Sequence, residues 1–290
     1  MSPGPEVERL LSGESGIVLG RRARLRGWLR DLRDDAALLA RLAPLRIDRA
    51  EHRLAAPGAV HVLGVYSQAG AATMGEAVAE LRRTRRPLTV ALGALDETAP
   101  ALTGATALAR LHGAGKFENL NRLLGERPPG GAEWLVVVDD DVALPRRFLD
   151  RFLFLAERFR LQLAQPALRH TSHAAWKVVR RERGTLARLT RLVEIGPLTA
   201  FHRSVVGDLT PFPPLRLGWG LDLHWGGLAR ERGWRLGVVD AVPIRHEARV
   251  TASGYDRDAA VAELQAFLTA DVPHIDREAA LTVLHRHRSL

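Results

Sequence analysis

The sequence predicts an α/β fold, a doubly wound and mostly parallel sheet flanked by helices, with an N-terminal helical arm. Three observations predict it. From Val60 onward, short apolar runs alternate with helical patterns, the order that builds crossover units and a parallel sheet. Before Pro57-Gly58 the chain is polar, arginine-rich and helical in period. Between them in importance lies Trp134-Leu-Val-Val-Val138, an apolar run that ends abruptly in Asp139-Asp140-Asp141. Sheets of this class gather their ligands at the carboxyl ends of strands, where this triplet falls.

With 290 residues and 46% hydrophobic content, the chain can bury a substantial core, which excludes disorder. It has no cysteine, so disulfide, zinc-thiolate and cysteine-nucleophile chemistry are all excluded. No apolar stretch approaches the roughly 20 residues needed to span a bilayer. Met1 to Leu11 lacks the apolar core of a signal peptide, so the expectation is a soluble, cytoplasmic protein. The net charge is +9 and the pI about 11.1. Lys116 and Lys177 are the only lysines, so arginines carry the charge, scattered through almost every segment. Without an RNP motif, zinc finger or GXXG loop, no nucleic-acid partner is expected.

Residues 1–57 form the expected arm. Leu25, Trp28, Leu29 and Leu32 recur at i, i+3, i+4 and i+7, with Arg22, Arg24, Arg26, Arg30 and Arg33 between them. This basic amphipathic helix reads as an arm packed on the main domain, the alternative being peripheral contact with an anionic membrane through residues 21–33. The core domain is expected over 58–250. Val60 to Tyr66 reads as the first strand, and Thr73-Met-Gly-Glu76 as a capping box opening a helix with Met74, Val78 and Leu81 on one face. Pro87 to Leu92 is the second strand, Phe117 to Leu124 a helix, Gly125 to Gly131 a loop, and Trp134 to Val138 the central strand. Arg147 to Phe159 follows as a helix, Leu161 to Ala167 as a strand, Ala174 to Arg191 as a basic irregular or helical stretch, and Val193 to His202 as a strand. Pro211 to Leu217 is a proline-rich loop, Asp222 to Arg232 a helix closed near Gly233, and Arg235 to Val239 the last core strand, leading through Pro243 to Arg245-His246. Residues 251–290 are expected to be a helical tail.

Side chains alternate along a strand, so Asp139 and Asp141 point to one side and Asp140 to the other. Carboxylates that close repel in a partly dry cleft, and a hard cation such as Mg2+ or Mn2+ relieves this while keeping positions open for phosphates. An acidic turn that merely stops a strand is the alternative. Gly113 and Gly115 before Lys116 do not make a phosphate-binding P-loop: Arg110 stands where the motif needs glycine, and no Ser or Thr follows the lysine. No dinucleotide fingerprint follows the first strand, and no serine-hydrolase elbow is present.

In this order the pieces resemble the GT-A class of nucleotide-sugar glycosyltransferases, over roughly residues 60 to 250. Asp139-Asp140-Asp141 is similar to that class's DXD motif. Gly115-Lys-Phe-Glu-Asn-Leu-Asn121-Arg122 is similar to the segment that holds the nucleotide and its phosphates. Trp219-Gly-Leu-Asp222, Gly237-Val-Val-Asp240 and Arg245-His246 resemble the acceptor-side half, as in an uncharacterised plant glycosyltransferase-like group. The resemblance implies a metal-dependent glycosyltransferase, hexosyl-transferring and inverting. It would move a sugar from a nucleoside-diphosphate donor to an acceptor hydroxyl, the acceptor being a glycan, a lipid-linked or a small molecule. Where the class puts an acidic residue directly after the second strand, this chain has Gly93-Ala-Leu before Asp96.

Asp139 and Asp141 are thus the expected metal ligands, with His246 as a third or else facing solvent. Asp222 lies among Trp219, Trp225 and glycines suited to a sugar ring. It is the candidate base, and its other reading is a helix N-cap. Lys116, Asn119, Asn121 and Asp140 are the candidate donor-binding residues. Asn119 and Asn121, two apart, cannot face one way on a helix. His170 and His173 read as surface residues, and Lys177 to Arg191 as cations near the diphosphate or an anionic acceptor. Two rival functions fit the same pattern: a metal-dependent nucleotidyl- or phosphotransferase, and a non-catalytic membrane-surface binding protein.

Overall fold

A computed structural model describes residues 5–12, 20–54, 56–247, 256–269 and 271–290. Residues 1–4 and 13–19 of the expected arm, and 248–255 at the junction with the tail, lie outside this set. The arm comprises helices α1 (Pro5–Glu8), α2 (Arg21–Ala40) and α3 (Ala43–His52). Helix α3 lies against the core through buried Ile47 and through Asp48, which accepts from Arg151 Nε and Nη2 at 2.7 and 2.8 Å.

The core then runs β1 (Val60–Tyr66), α4 (Ala71–Leu81), β2 (Leu88–Ala94), β3 (Thr106–Leu108), α5 (Lys116–Glu126), β4 (Trp134–Val138), β5 (Val142–Ala143), α6 (Phe148–Arg158) and β6 (Leu163–Leu168). It continues with β7 (Ala187–Thr190), β8 (Leu198–His202), α7 (Arg203–Leu209), α8 (Leu221–Arg232), β9 (Leu236–His246), α9 (Arg257–Phe267), α10 (Arg277–Ala280) and β10 (Val283–His287). The sheet order is β10-β7-β9-β6-β8-β4-β1-β2-β3, with β5 paired to the end of β9. Among the described residues, seven of the nine strands on this path run one way; β8 and β7 run against them.

Strand β4 shows why the sheet is wound on both faces. Its five residues are all buried, yet they divide by parity: Trp134, Val136 and Val138 enter a core with Met74, Phe148 and Phe152. Leu135 and Val137 enter a second core with Phe117, Phe201 and Trp225. A strand buried on both sides reads as a continuous apolar run, and this one does. The next residues inherit the same parity. Asp139 and Asp141 therefore leave on the α5/α8 side, and Asp140 on the α4 side.

Four local expectations are corrected. The capping box at Thr73 does not start α4; Gly70 is the N-cap, with no side-chain cap. A Cβ on Gly70 would fall 1.7 Å from Asp140 Oδ2, and Gly70 N donates to Ser67 Oγ at 3.1 Å, so the turn that Asp140 fastens leads directly into this helix. The stretch from Ala174 to Arg191 ends in a strand, β7, rather than in helix or loop. Strand β8 starts only at Leu198, leaving residues 193–197 as a site segment. The tail is not purely helical, because β10 pairs antiparallel with β7 and adds an edge strand.

Asp240, singled out in the acceptor-side series, is wholly buried. It accepts from Arg188 Nε and Nη2, both at 2.9 Å, and from Thr185 Oγ1 at 2.8 Å. Its charge is spent inside the fold, tying β9 to β7.

Candidate active site

The site gathers at the carboxyl ends of β4 and β9. The pairing of β5 with β9 sets Val142 opposite His246, and Glu247 N donates to Asp141 O at 2.9 Å. This two-residue ladder carries His246 from a strand three positions away in the sheet to Asp141, with Nε2 3.2 Å from Asp141 Oδ2. His246 does not face solvent; only 16% of its side chain is exposed. Burial works against charging the imidazole, but Asp141, Asp139 and Glu194 together hold its pKa above the ordinary value.

Asp139 turns to α5, where Lys116 Nζ lies 2.6 Å from Oδ1 and also donates to Ile195 O at 3.1 Å. Burial and the neighbouring Asp141 push the Asp139 pKa up, against the pull of Lys116. Asp140, on the other side of the strand, accepts from Ser67 N at 2.9 Å and Ser67 Oγ at 2.8 Å. It fastens the turn after β1 rather than presenting a free carboxylate to a donor.

The other donor-binding candidates divide. Asn119 is fully buried and donates to Leu111 O and Ala114 O. Asn121 uses both ends of its amide on the Phe212 main chain, each at 2.8 Å. One asparagine was expected to be structural; both are, because each pins a loop to α5. Lys116 alone of this segment reaches the carboxylates.

Asp222 occupies the first turn of α8, behind an N-cap that is Gly220, so the N-cap reading fails. It is 6% exposed. Oδ2 accepts from Trp176 Nε1 at 2.6 Å, and Oδ1 from Leu223 N at 2.9 Å. Burial raises its pKa to about 6 despite these bonds. Trp225 is no platform for a sugar ring: it is 1% exposed and meets Phe201 edge-on with ring centroids 5.1 Å apart. Trp219 remains partly exposed. His170 and His173, expected at the surface, are half-buried. His170 bonds Asp31 and Asp34 of α2, and the His173 ring meets that of His246 at 5.3 Å.

Two carboxylates and an imidazole are the donor types that Mg2+ and Mn2+ accept. Asp141 Oδ1 and His246 Nδ1 are buried without a hydrogen-bond partner, and such orphaned atoms are costly unless something fills them. Among the described residues, however, no three His, Asp or Glu side chains are grouped as a ready-made metal site. Asp139 leans on Lys116, and Asp141 on His246. The set fits a divalent ion by chemistry and by the orphaned oxygen, and the ion would displace these direct contacts.

No family model matches the chain, and no curated protein is similar to it in sequence. Solved structures are. GalNAc-T7 with UDP, GalNAc and Mn2+ aligns at TM-score 0.51 and 13% identity, covering 66% of this chain and 43% of that one. TarS residues 1–349 of S. aureus with UDP-GlcNAc aligns at TM-score 0.52 and 12% identity, covering 76% of this chain and 68% of that one. The fold is GT-A. At such identities the likeness is one of fold, and this chain spans 43% of the GalNAc-T7 chain's length.

On this GT-A frame one charged residue escaped the sequence reading. Glu194 lies inside the run Val193 to His202, and its signal was a lone carboxylate in an otherwise apolar stretch. It is 6% exposed. Its main-chain N donates to Gln165 Oε1 at 2.7 Å, and its Oε1 accepts from Ala175 N. Burial raises its pKa to about 7, with the charge on Asp222 adding to the rise and His246 opposing it. Glu194 thus senses both halves of the site.

The Glu194 pKa is raised on folding from 4.5 to about 7. Its contribution is fully present below about pH 4.5 and is lost as pH rises through about 7. Glu194→Gln removes the cost of the buried charge while keeping the acceptor for Ala175. In metal-free buffer the variant should be as stable as wild type near pH 4.5 and more stable at pH 8, by on the order of 2–3 kcal/mol. Thermal unfolding at the two pH values checks this; a difference that does not change with pH contradicts it.

Proposed function

We propose that the protein is a metal-dependent glycosyltransferase that moves a sugar from a nucleoside-diphosphate donor to an acceptor hydroxyl, with inversion at the anomeric carbon. One observation carries the reading: on a GT-A fold, Asp141 pairs with His246 where β4 and β9 end, Asp139 next to them holds Lys116, and the buried Asp222 has its pKa raised to about 6. The neighbours solved with UDP, with UDP-GlcNAc and with Mn2+ support it.

Bound Mn2+ or Mg2+ would offset the charge that builds on the diphosphate as the anomeric bond breaks. Asp141 and His246 would hold the ion, with Asp139 beside them. Lys116, which pairs with Asp139 without the ion, would then be free to pair with the phosphate oxygens. Asp222 takes the proton of the acceptor hydroxyl during attack, a role suited to a carboxylate whose pKa lies near the working pH. Trp176 holds Oδ2 of that carboxylate in place. Asp96, accepting from Gln68 N at 3.1 Å and His112 Nε2 at 2.7 Å, stands beyond β2 as an acceptor for the nucleotide base.

Incubation with a panel of nucleotide sugars and Mn2+, followed by product analysis, tests this. Release of nucleoside diphosphate together with a glycosylated product, or with free sugar from slow hydrolysis, is expected. Nucleoside monophosphate or pyrophosphate instead would mean nucleotidyl or phosphoryl chemistry and would sink the proposal.

A further inference from the structure

Helix α2 is amphipathic, but it packs the wrong way round for a core helix. The face turned to the protein is Gly27, Asp31, Asp34 and Leu38. Asp31 accepts from His170 N at 3.0 Å and Thr171 Oγ1 at 3.2 Å, and Asp34 pairs with His170 Nε2 at 3.0 Å. Asp35 accepts from Arg169 at 3.1 Å and Arg181 at 2.6 Å. A Cβ on Gly27 would sit 3.0 Å from His170 O, so this face approaches the loop after β6 backbone to backbone. Every carboxylate of α2 is thereby engaged with the core.

The opposite face is apolar and open. Leu25, Trp28, Leu29, Leu32 and Leu39 are 57%, 53%, 42%, 44% and 61% exposed. At 3.6 residues per turn these five fall within about 100° of the helix circumference. Leu42 and Leu45, at the corner into α3, are each 55% exposed. Arg22, Arg26, Arg30 and Arg33 line one edge of the stripe and Arg24 the other, all exposed, and the one carboxylate at that second edge, Asp35, is paired with Arg169 and Arg181. Soluble surfaces rarely leave such a run of large apolar side chains uncovered.

The charge decides among occupants. A second copy of the chain, stripe against stripe, would bring two rows of arginines together. An anionic bilayer takes both features at once, with leucine and tryptophan side chains among the acyl chains and guanidinium groups at the headgroups. No helix among the described residues is long and apolar enough to cross a membrane, which leaves α2 lying in the surface plane. We infer that α2 and the α2–α3 corner form a docking surface for an anionic lipid bilayer. The inference does not depend on the transferase reading, although the two meet in the structure. The loop of residues 169–173 that clamps α2 also donates from His173 N to His246 O at 3.3 Å.

Sedimentation of the full chain with phosphatidylcholine vesicles, with and without phosphatidylglycerol, tests the surface. Binding to the anionic vesicles alone is expected, weakening as salt is raised. A Trp28→Gln/Leu29→Gln variant should lose at least tenfold in vesicle affinity, and replacing Arg22, Arg26, Arg30 and Arg33 by Gln should abolish the preference for anionic lipid. These side chains are exposed, so both variants should melt with the wild type. Wild-type protein that stays in the supernatant overturns the inference, as does wild-type binding by both variants. So does a dimer in solution that Trp28→Gln dissociates while vesicle binding is unchanged.

Discussion

Replacing Asp222 by Asn should lower kcat for sugar transfer by about 10²–10⁴-fold, the range for losing a positioned general base, and leave donor binding nearly unchanged. The side chain is buried and gripped at both oxygens, by Trp176 Nε1 and Leu223 N, so the protein maintains a costly carboxylate in one orientation. Its pKa, raised by burial to about 6, sets the pH dependence: the base works ionised, so kcat should fall as pH drops below about 6. The residual activity of Asp222→Asn should lack this limb. The same shift makes the variant the more stable protein at pH 8, because wild type loses the contribution of the neutral acid as pH rises through about 6. Activity lost while stability is gained separates a catalytic carboxylate from a structural one. A kcat within about threefold of wild type would remove Asp222 from the chemistry.

Asp141→Ala should cost about 10²–10³-fold in transfer, the effect of removing one electrostatic stabiliser from a developing charge, and should raise the Mn2+ concentration needed for half-maximal rate. The substitution takes away both the oxygen that meets His246 Nε2 at 3.2 Å and the buried oxygen that has no partner. Asp140→Ala is the instructive contrast. Asp140 is bonded to Ser67, so its loss should loosen the turn between β1 and α4 and lower the melting temperature more than it changes the metal requirement.

Periodicity made much of this legible. The alternation of apolar runs and helical patterns gave β1, β2, β4, α5, α6 and α8 close to their observed limits, and strand parity alone separated Asp139 and Asp141 from Asp140. What it could not supply was partnership across the chain. Asn119 and Asn121 look like donors for a ligand until loops 5–8 and 91 residues away claim them. Trp225 looks like a sugar platform until Phe117, Phe201 and Phe212 close around it. Thr73 makes a convincing cap in isolation, but the helix already starts at Ala71, after the turn that Ser67 and Asp140 close. The basic helix α2 packs on the main domain as expected, but by its other face. Its leucine stripe obeys the rule for a buried face, but Asp31, Asp34 and Asp35 find arginine, histidine and main-chain donors in the core and turn the stripe outward. Glu194 left only a trace, a charge where the pattern called for none.

The proposed chemistry depends on a divalent cation held against a diphosphate by the ends of β4 and β9. Thermal unfolding of wild type and Asp141→Ala, with nucleoside diphosphates and Mn2+ added singly and together, tests it most directly, since a ligand that binds only the native state raises its stability. Stabilisation of wild type that needs both additions, and its loss in Asp141→Ala, is the expected result. A nucleotide-induced shift that survives chelation of all divalent ions, or a full metal-dependent shift in Asp141→Ala, would contradict it.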